Sequence, residues 1–428
     1  MTELTSWGRY PTVETEQLSV EIATLESLSL RGIPRGLGRS YGDSALSDKV
    51  ILSDKLSRFI SFDKSTGQLR CEAGITIEEI LKVFIPKGWF PYVTPGTKFV
   101  TIGGAIASDV HGKNHHKEGS FCDYVSSIVL LIDGQLVTCN DQKNSDLFRA
   151  TCGGMGLTGF IVEATITLKP IKSAYIQQKV IKAENLREAI NLLEENSDYT
   201  YSVAWIDCLS MGERLGRSLI MIGEHSDNNQ LKTHKNAKLS IPFEFPTYCL
   251  NQYSVQGFNF LYYHRQLKKE INNIVHYDTF FYPLDGISNW NLIYGKQGFT
   301  QYQFVIPKHA GIEALTEIIT EIAASKLGSF LAVLKVLKEE NENLLSFPIE
   351  GYTLALDFKI NPSLFPLLNR LDEIVKHFSG RIYLSKDVRM DEDMFKATYP
   401  NWIEFERIRT KFNLKGKYYS LQSKRLGL

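Results

Sequence analysis

Residues 97–120 read TKFVTIGGAIASDVHGKNHHKEGS, a Gly-Gly pair and small side chains followed at once by histidine, lysine and asparagine. Without Cβ atoms, Gly103 and Gly104 let a phosphate or a ring edge lie on main-chain N–H groups. His111 and Lys113 stand beside that cradle as proton carriers or charge stabilisers. A second cluster, RGLGRSYGD at 35–43, offers turn N–H groups and Arg39 to a phosphate, and Tyr41 to an aromatic ring. A third, GMGLTG at 154–159, matches G-x-G-x-x-G. DLFRATCG before it is no β-run and FIVEATITL after it is a strand, so a Rossmann site is rejected on both sides. One such cluster is by default a tight turn. Three of them between strands, all within 35–159, point to a large phosphate-bearing cofactor.

These groups need a scaffold, and the composition describes one. The 428 residues are 43% hydrophobic and 22% charged, enough for two domains of a globular protein. The formal net charge is +0, so the overall balance recruits neither nucleic acid nor an anionic membrane. Six cysteines without C-x-x-C spacing fit reduced thiols in a cytoplasmic protein. The N-terminal residues carry early acids and no apolar stretch, which is not a signal peptide, and no window is long and apolar enough to span a bilayer. Attachment to the inner membrane face through a short flap stays open. His111, His115 and His116 fit no familiar ligand spacing, so no metal is expected and the latter two read as structural hydrogen-bonders.

Residues 1–170 are strand-rich: KVILS at 49–53, QLRCEA at 68–73, YVSSIVLLI at 124–132 and GFIVEATITL at 159–168 are β-patterned. TIEEILKVF at 76–84 has helical period after a threonine cap. From about residue 175 the texture changes to longer strands, at 300–306 and 330–337, and to helices at 185–197, 311–325 and 364–378. The stretch 224–258 has no clear period and reads as a mobile excursion or lid. By pattern alone, Lys335 in FLAVLKVL points to solvent from an edge strand, and Lys386 is a surface turn residue. Gln301 and Gln303 share one strand face, either a pocket wall or a solvent face.

GRSYGD at 38–43, PGTKFVTIGGAIASDVHGKNHH at 95–116 and GGMGLTGFI at 153–161 together resemble the FAD-binding domain of the vanillyl-alcohol-oxidase-type flavoproteins. Within that superfamily the chain is most similar to the decaprenylphosphoryl-β-D-ribose 2′-oxidase family. The similarity continues through YSVAWID at 201–207, FFYPLD at 280–285, QYQFVIP at 301–307, LSFPIEGY at 345–352 and IYLSKDVR at 382–389, so it covers nearly the whole chain. HGKNHH after a Gly-Gly segment is its most specific element.

The resemblance implies an α+β fold in two domains: an FAD-binding domain over 1–170 and a substrate-binding cap over 171–381, built on an antiparallel sheet flanked by helices. Residues 382–428 return to the first domain. It assigns the FAD site to Gly36, Gly38, Arg39, Ser40 and Tyr41, and then to Pro95, Gly96, Thr97, Thr101, Gly103, Gly104 and Ala105. Ser108, Val110, His111 and Gly112 continue that site, and Gly156, Gly159, Ile161 and Tyr383 complete it. Lys386, His111 and Tyr41 surround the reacting sugar carbon; Lys113, Gln301, Gln303, Lys335, Trp205, Phe281 and Ala355 line the substrate pocket with Lys386.

The implied reaction is oxidation of a sugar secondary alcohol, the 2′-hydroxyl of a polyprenylphosphoryl-β-D-ribose. Its keto product would feed epimerisation to arabinose for envelope polysaccharide, through a partner reductase of the short-chain dehydrogenase type. The alternative is an oxidase of a soluble polyol, aldonolactone or secondary-metabolite sugar. The family pattern carries a cysteine and an asparagine in the strand where this chain has Thr353 and Ala355, a tyrosine where Phe281 stands and a serine where Val203 stands, so polar groups are removed from the sugar side and resistance to thiol-capturing inhibitors is implied. Several relatives anchor FAD through a histidine in the first glycine turn; Arg39, Ser40 and Tyr41 stand there, so the FAD is expected to be dissociable.

Overall fold

The computed structural model describes residues 2–21, 30–237, 239–246 and 248–428. Residues 22–29 of the first expected domain, and 238 and 247 of the expected excursion, lie outside the described residues. The chain is built on three main sheets. β1 (Thr2–Thr5), β2 (Thr12–Ser19), β3 (Ile33–Arg35) and β4 (Lys49–Leu52) form a four-stranded sheet in the order β1-β2-β4-β3. A second sheet takes β5 (Phe59–Asp63), β6 (Gln68–Glu72), β7 (Trp89–Pro91), β8 (Val125–Ile132), β9 (Gln135–Cys139) and β10 (Phe160–Pro170). Its long strand β10 pairs antiparallel with β6, β7 and β8.

The third sheet has eight strands. It uses β11 (Tyr175–Ala183), β12 (Tyr201–Ile206), β13 (Ser218–His225), β15 (Glu270–His276), β17 (Phe299–Pro307), β18 (Ala332–Leu337), β19 (Gly351–Lys359) and β20 (Arg381–Ile382). Their order is β15-β11-β13-β12-β18-β19-β17-β20, and a separate two-stranded pair joins β14 (Leu239–Ser240) to β16 (Ile287–Ser288).

Local chemistry explains the element boundaries. Thr76 caps helix Ile77–Phe84 in a capping box: its hydroxyl accepts from Glu79 N at 3.1 Å and the Glu79 carboxylate accepts from Thr76 N at 2.8 Å. Ile77, Ile80, Leu81 and Phe84, at helical spacing, then enter the core. On the large sheet the two-residue period separates two faces. Phe304, Leu334, Leu354 and Leu356 pack into the core shared with helices Gly311–Ser325 and Leu364–His377, and Tyr302 donates to Asp372 of the latter at 2.8 Å. The residues between them face the other way and make the site.

Two expectations are corrected here. Lys335 is not on an edge, because β18 lies between β12 and β19 inside the sheet. Part of the stretch read as an aperiodic excursion is helix: Gln252–His264 starts from Asn251, whose carboxamide oxygen accepts from Tyr253 N and Ser254 N. Elsewhere in that stretch, Arg9 pairs with Glu244, and Phe245 N donates to Leu292 O at 3.1 Å.

The glycine-rich half and the large sheet are joined through Asp109. This buried carboxylate accepts from Cys122 N at 2.9 Å, Asn341 Nδ2 at 2.9 Å, Asn343 Nδ2 at 3.0 Å and Ser346 Oγ at 2.7 Å. Replacing it would strand these donors in the interior. Asp109→Ala is expected to cost at least about 3 kcal/mol of unfolding free energy, read as a lowered urea midpoint; a loss under about 1 kcal/mol would mean that the 341–346 segment is held by other contacts.

Candidate active site and cofactor cradle

The three glycine clusters, far apart in sequence, meet. Gly36 crosses Thr101 so closely that a Cβ on it would lie 2.2 Å from Thr101 Oγ1. Gly153 N and Met155 N donate to Ile106 O and Ala107 O at 2.9 and 2.8 Å, and Gly156 faces Ile33 and Pro34. Gly159 precedes β10, which carries the buried Ile161.

The main chain around this junction is rich in unused donors. The N–H groups of Gly36, Leu37, Gly38, Arg39 and Ser40, and those of Gly96 and Thr97, donate to no acceptor among the described residues. Leu37 and Gly96 are exposed and the other five residues half-buried; successive N–H groups left unbonded in such a turn form an anion-binding nest. Gly96, after Pro95, has nothing within 4 Å of where a Cβ would stand.

The donors differ from those expected. Gly103 N is spent on Ala73 O at 2.8 Å, Gly104 N on Thr101 Oγ1 at 3.1 Å and Ala105 N on Thr101 O at 2.8 Å, so the Gly-Gly pair allows close packing and does not supply free N–H groups. Arg39 lays its guanidinium over Trp7, 4.1 Å from the ring centroid, and its Nε has no partner among the described residues. The chain therefore fits a pyrophosphate-bearing flavin on two observations, the unbonded N–H run at 36–40 and the side-chain-free crossing at Gly36.

Gly36→Val would push a branched side chain into Thr101. Bound flavin per polypeptide is expected to fall at least about tenfold after gel filtration. A variant with full flavin content would show that the crossing tolerates displacement.

The C-terminal segment closes over the first turn. A Cβ on Gly42 would fall 1.6 Å from Asp387 O, and Tyr41 N donates to Ser385 O at 3.1 Å. This brings Lys386 Nζ to 3.9 Å from the centroid of the Tyr41 ring, which itself stands edge-on to Phe299. Such a cation–π contact is worth about 2 kcal/mol when desolvated. Tyr383, from the same segment, donates to Ser108 O at 3.0 Å and stacks on Phe347. Lys386 is thus half-buried and turned inward over Tyr41, contrary to its default reading as a surface turn.

One face of the large sheet supplies the opposite wall. The register sets Trp205 against Val333, Lys335 against Thr353, Ala355 against Gln303 and Asp357 against Gln301, so these side chains share a face. Gln303 Nε2 reaches Thr353 Oγ1 at 3.1 Å and His111 Nε2 at 2.9 Å. Because the amide nitrogen donates, His111 Nε2 must accept and the ring proton sits on Nδ1. Burial, and then Lys335, His115 and Lys386, hold the His111 pKa well below the ordinary histidine range, so the ring is neutral. Its Nδ1 has no partner among the described residues and remains a free donor.

Three lysines converge here with little anionic company. Burial pushes Lys113 down to about 7 and Lys335 down to about 8, with Lys335 as the second cause for Lys113. Lys113 donates to Phe280 O and lies over the Phe280 ring. Lys386 is also held far below the usual lysine range by burial, partly offset by Asp357. Asp357 is the group that residue patterns did not single out. It accepts from Gln301 Nε2 at 2.5 Å and Tyr294 OH at 3.3 Å, and burial raises its pKa far above the carboxylate range. Its signal was in the sequence all the same: a charge at two-residue spacing from Thr353 and Ala355 inside an apolar strand.

Other expected pocket residues are spent elsewhere. Trp205 Nε1 donates to Phe330 O at 3.0 Å, and Phe281 is buried against Phe90 and Tyr201, although Lys113 still approaches its ring. Gly112 approaches Thr94 O, and Val110 N is bonded to Ala105 O. His115 pairs with Ser120 Oγ and Lys338 N, and His116 with Tyr199 O, which makes both structural hydrogen-bonders.

Comparison with known proteins agrees with this geometry. A family model described as an FAD binding domain matches residues 12–140. Decaprenylphosphoryl-β-D-ribose oxidase of Mycolicibacterium smegmatis is 37% identical, over 99% of this chain and 97% of its own. An uncharacterized protein in the mprA 5′ region of Streptomyces coelicolor is 27% identical over 83% of this chain and 100% of its own. D-arabinono-1,4-lactone oxidase of Yarrowia lipolytica is 28% identical over only 44% of this chain and 38% of its own.

Proposed function

The chain belongs to the decaprenylphosphoryl-β-D-ribose oxidase family, FAD-dependent oxidoreductases acting on a sugar alcohol, and from that premise we propose that it oxidises the 2′-hydroxyl of a polyprenylphosphoryl-β-D-ribose to the ketone. The carrying observation is that Lys335, on the polar sheet face, lies close enough to act electrostatically on both Lys386 and Lys113, and that Lys386 sits over Tyr41 of the glycine turn whose N–H groups are unbonded.

The turn 36–40 and Gly96–Thr97 hold the cofactor pyrophosphate by their N–H groups. Bound FAD supplies a two-electron acceptor for the hydride that leaves the sugar carbon. The chain does the rest. Lys386, neutral when its depressed pKa is exceeded, takes the hydroxyl proton as C2′ loses its hydride, so alcohol becomes ketone with proton and hydride both accounted for. Tyr41 is not that base, because burial, and then Asp357, hold its phenol protonated. Nor is His111, whose free nitrogen already carries a proton; it donates a hydrogen bond to a sugar oxygen. Lys113 and Lys335 take the phosphodiester, and Gln301 and Gln303 the ribose side.

We divide the chain accordingly into an FAD-binding domain (1–170), a cap (171–381) and a C-terminal segment (382–428) that carries the base. The 2′-keto product requires a separate carbonyl reductase to give the arabinose form. Anaerobic bleaching of the flavin band tests the reading. A polyprenylphosphoryl-ribose analogue should bleach it, while free ribose, arabinitol and a sugar lactone should not; bleaching by the lactone or polyol alone would move the protein to the soluble-substrate oxidases.

A further inference from the structure

Helix Gln252–His264 carries two apolar faces, and the fold uses one. Val255, Asn259 and Tyr263 are buried, and Tyr263 packs with Trp205 and Leu219 on the large sheet. Nearly opposite, Tyr253, Gly257, Phe260, Leu261 and His264 recur at helical spacing on the exposed side. Tyr253 is 80% exposed, Phe260 52% and Leu261 69%, and Leu267 just past the helix end is 91% exposed. Phe243 and Tyr248, on the approach to the helix, are exposed as well. Large apolar side chains gathered in this way are unusual on a soluble surface and mark an interaction site.

Along the chain the charges beside this face are one-sided: residues 245–269 contain no Asp or Glu, while Arg265, Lys268 and Lys269 follow the helix. Lys269 is paired with Glu188, and Arg265 and Lys268 are exposed. Aromatic and leucine side chains on one face, with lysine and arginine at its edge, suit the headgroup layer of an anionic bilayer. A protein interface would be depleted in lysine.

The position fits too. The helix sits on the sheet face that bears Trp205, Lys335, Gln303 and Asp357. Phe258 of the helix meets Phe330, which stacks on Tyr294, the residue that donates to Asp357.

We propose that the exposed face of helix Gln252–His264, with Leu267 and the cationic turn after it, seats the protein on an anionic lipid bilayer, with the sugar pocket's sheet face turned toward the headgroups. The purpose of this surface rests on the reading of a lipid-linked substrate. Its chemistry does not.

Flotation of the purified holoprotein with phosphatidylcholine vesicles, with and without phosphatidylglycerol, tests it. Wild type should float with the mixed vesicles, less with phosphatidylcholine alone and less in high salt. The triple variant Tyr253→Ser, Phe260→Ser, Leu261→Ser should lose at least about tenfold of the bound fraction, and Lys268→Glu should remove the preference for phosphatidylglycerol. Both should keep the flavin spectrum and the wild-type rate of flavin reduction by a water-soluble, short-chain phosphoribose, which shows that they are folded. A triple variant that floats like wild type, a wild type that floats with neither vesicle, or light scattering showing this face covered by a second copy would each overturn the proposal. If the short-chain phosphoribose fails to bleach wild type, the substrate reading falls, while the flotation result stands or falls separately.

Discussion

Lys386→Met is expected to bind FAD and lipid-phosphate sugar but to reduce its flavin at least about 10³-fold more slowly than wild type, since removal of a positioned base costs about 10²–10⁴ in rate. Anaerobic stopped-flow at saturating sugar isolates this step from reoxidation. The pH profile makes the test specific. A neutral amine is the active form, so reduction should slow on acidification below the depressed pKa and level off above it. Asp357 adjoins the lysine electrostatically: its charge raises the lysine pKa, against the burial that lowers it. Asp357→Asn removes the carboxylate whose charge raises the lysine pKa, and the acid limb should move to lower pH. A Lys386→Met enzyme with wild-type reduction would eliminate the lysine as the base; an Asp357→Asn profile that stays in place would mean that the pair is uncoupled once substrate is bound.

Lys113→Met and Lys335→Met should act on affinity instead of rate. Each removes one charge-assisted hydrogen bond to a phosphodiester, worth about 1.5–3 kcal/mol, so KM for the lipid-phosphate sugar should rise about 10–100-fold while kcat changes little. Their depressed pKa values, about 7 and about 8, set the sign of a second effect. The protonated lysine binds the anion, so affinity should weaken as pH rises through that range. Base catalysis improves over the same rise, and the two trends together predict a kcat/KM maximum near neutrality. If KM of both variants matched wild type, the phosphodiester would have to lie elsewhere in the pocket.

Much of this was legible along the chain because its signals are local. Thr76 and Glu79, three residues apart, satisfy each other's orphan groups and start a helix wherever the chain goes. The resemblance carried by the motifs around Gly36, Gly103 and Gly156 pointed to FAD, and the FAD binding domain match agrees. Side-chain environment was less legible. Lys335 in FLAVLKVL looks like an edge residue, because a strand's own sequence does not say whether neighbours cover both its sides; β12 and β19 do. Lys386 looks like a turn residue because its burial comes from Tyr41, some 345 positions away.

Glycine spacing pointed to a large phosphate-bearing cofactor, the resemblance of the motifs narrowed it to FAD, and caps and strand or helix periods marked the elements, because each of these signals is written within a few positions. Which chemical groups are free to act was settled by contacts between segments far apart in the chain. Hydrogen bonds are exclusive, and Gly103 and Gly104 lose their N–H groups to Ala73 and Thr101, while Gly36 to Ser40 keep theirs. Desolvation is collective as well: Lys113, Lys335, Lys386 and Asp357 acquire shifted proton affinities because strands distant in the chain close water out around all of them at once.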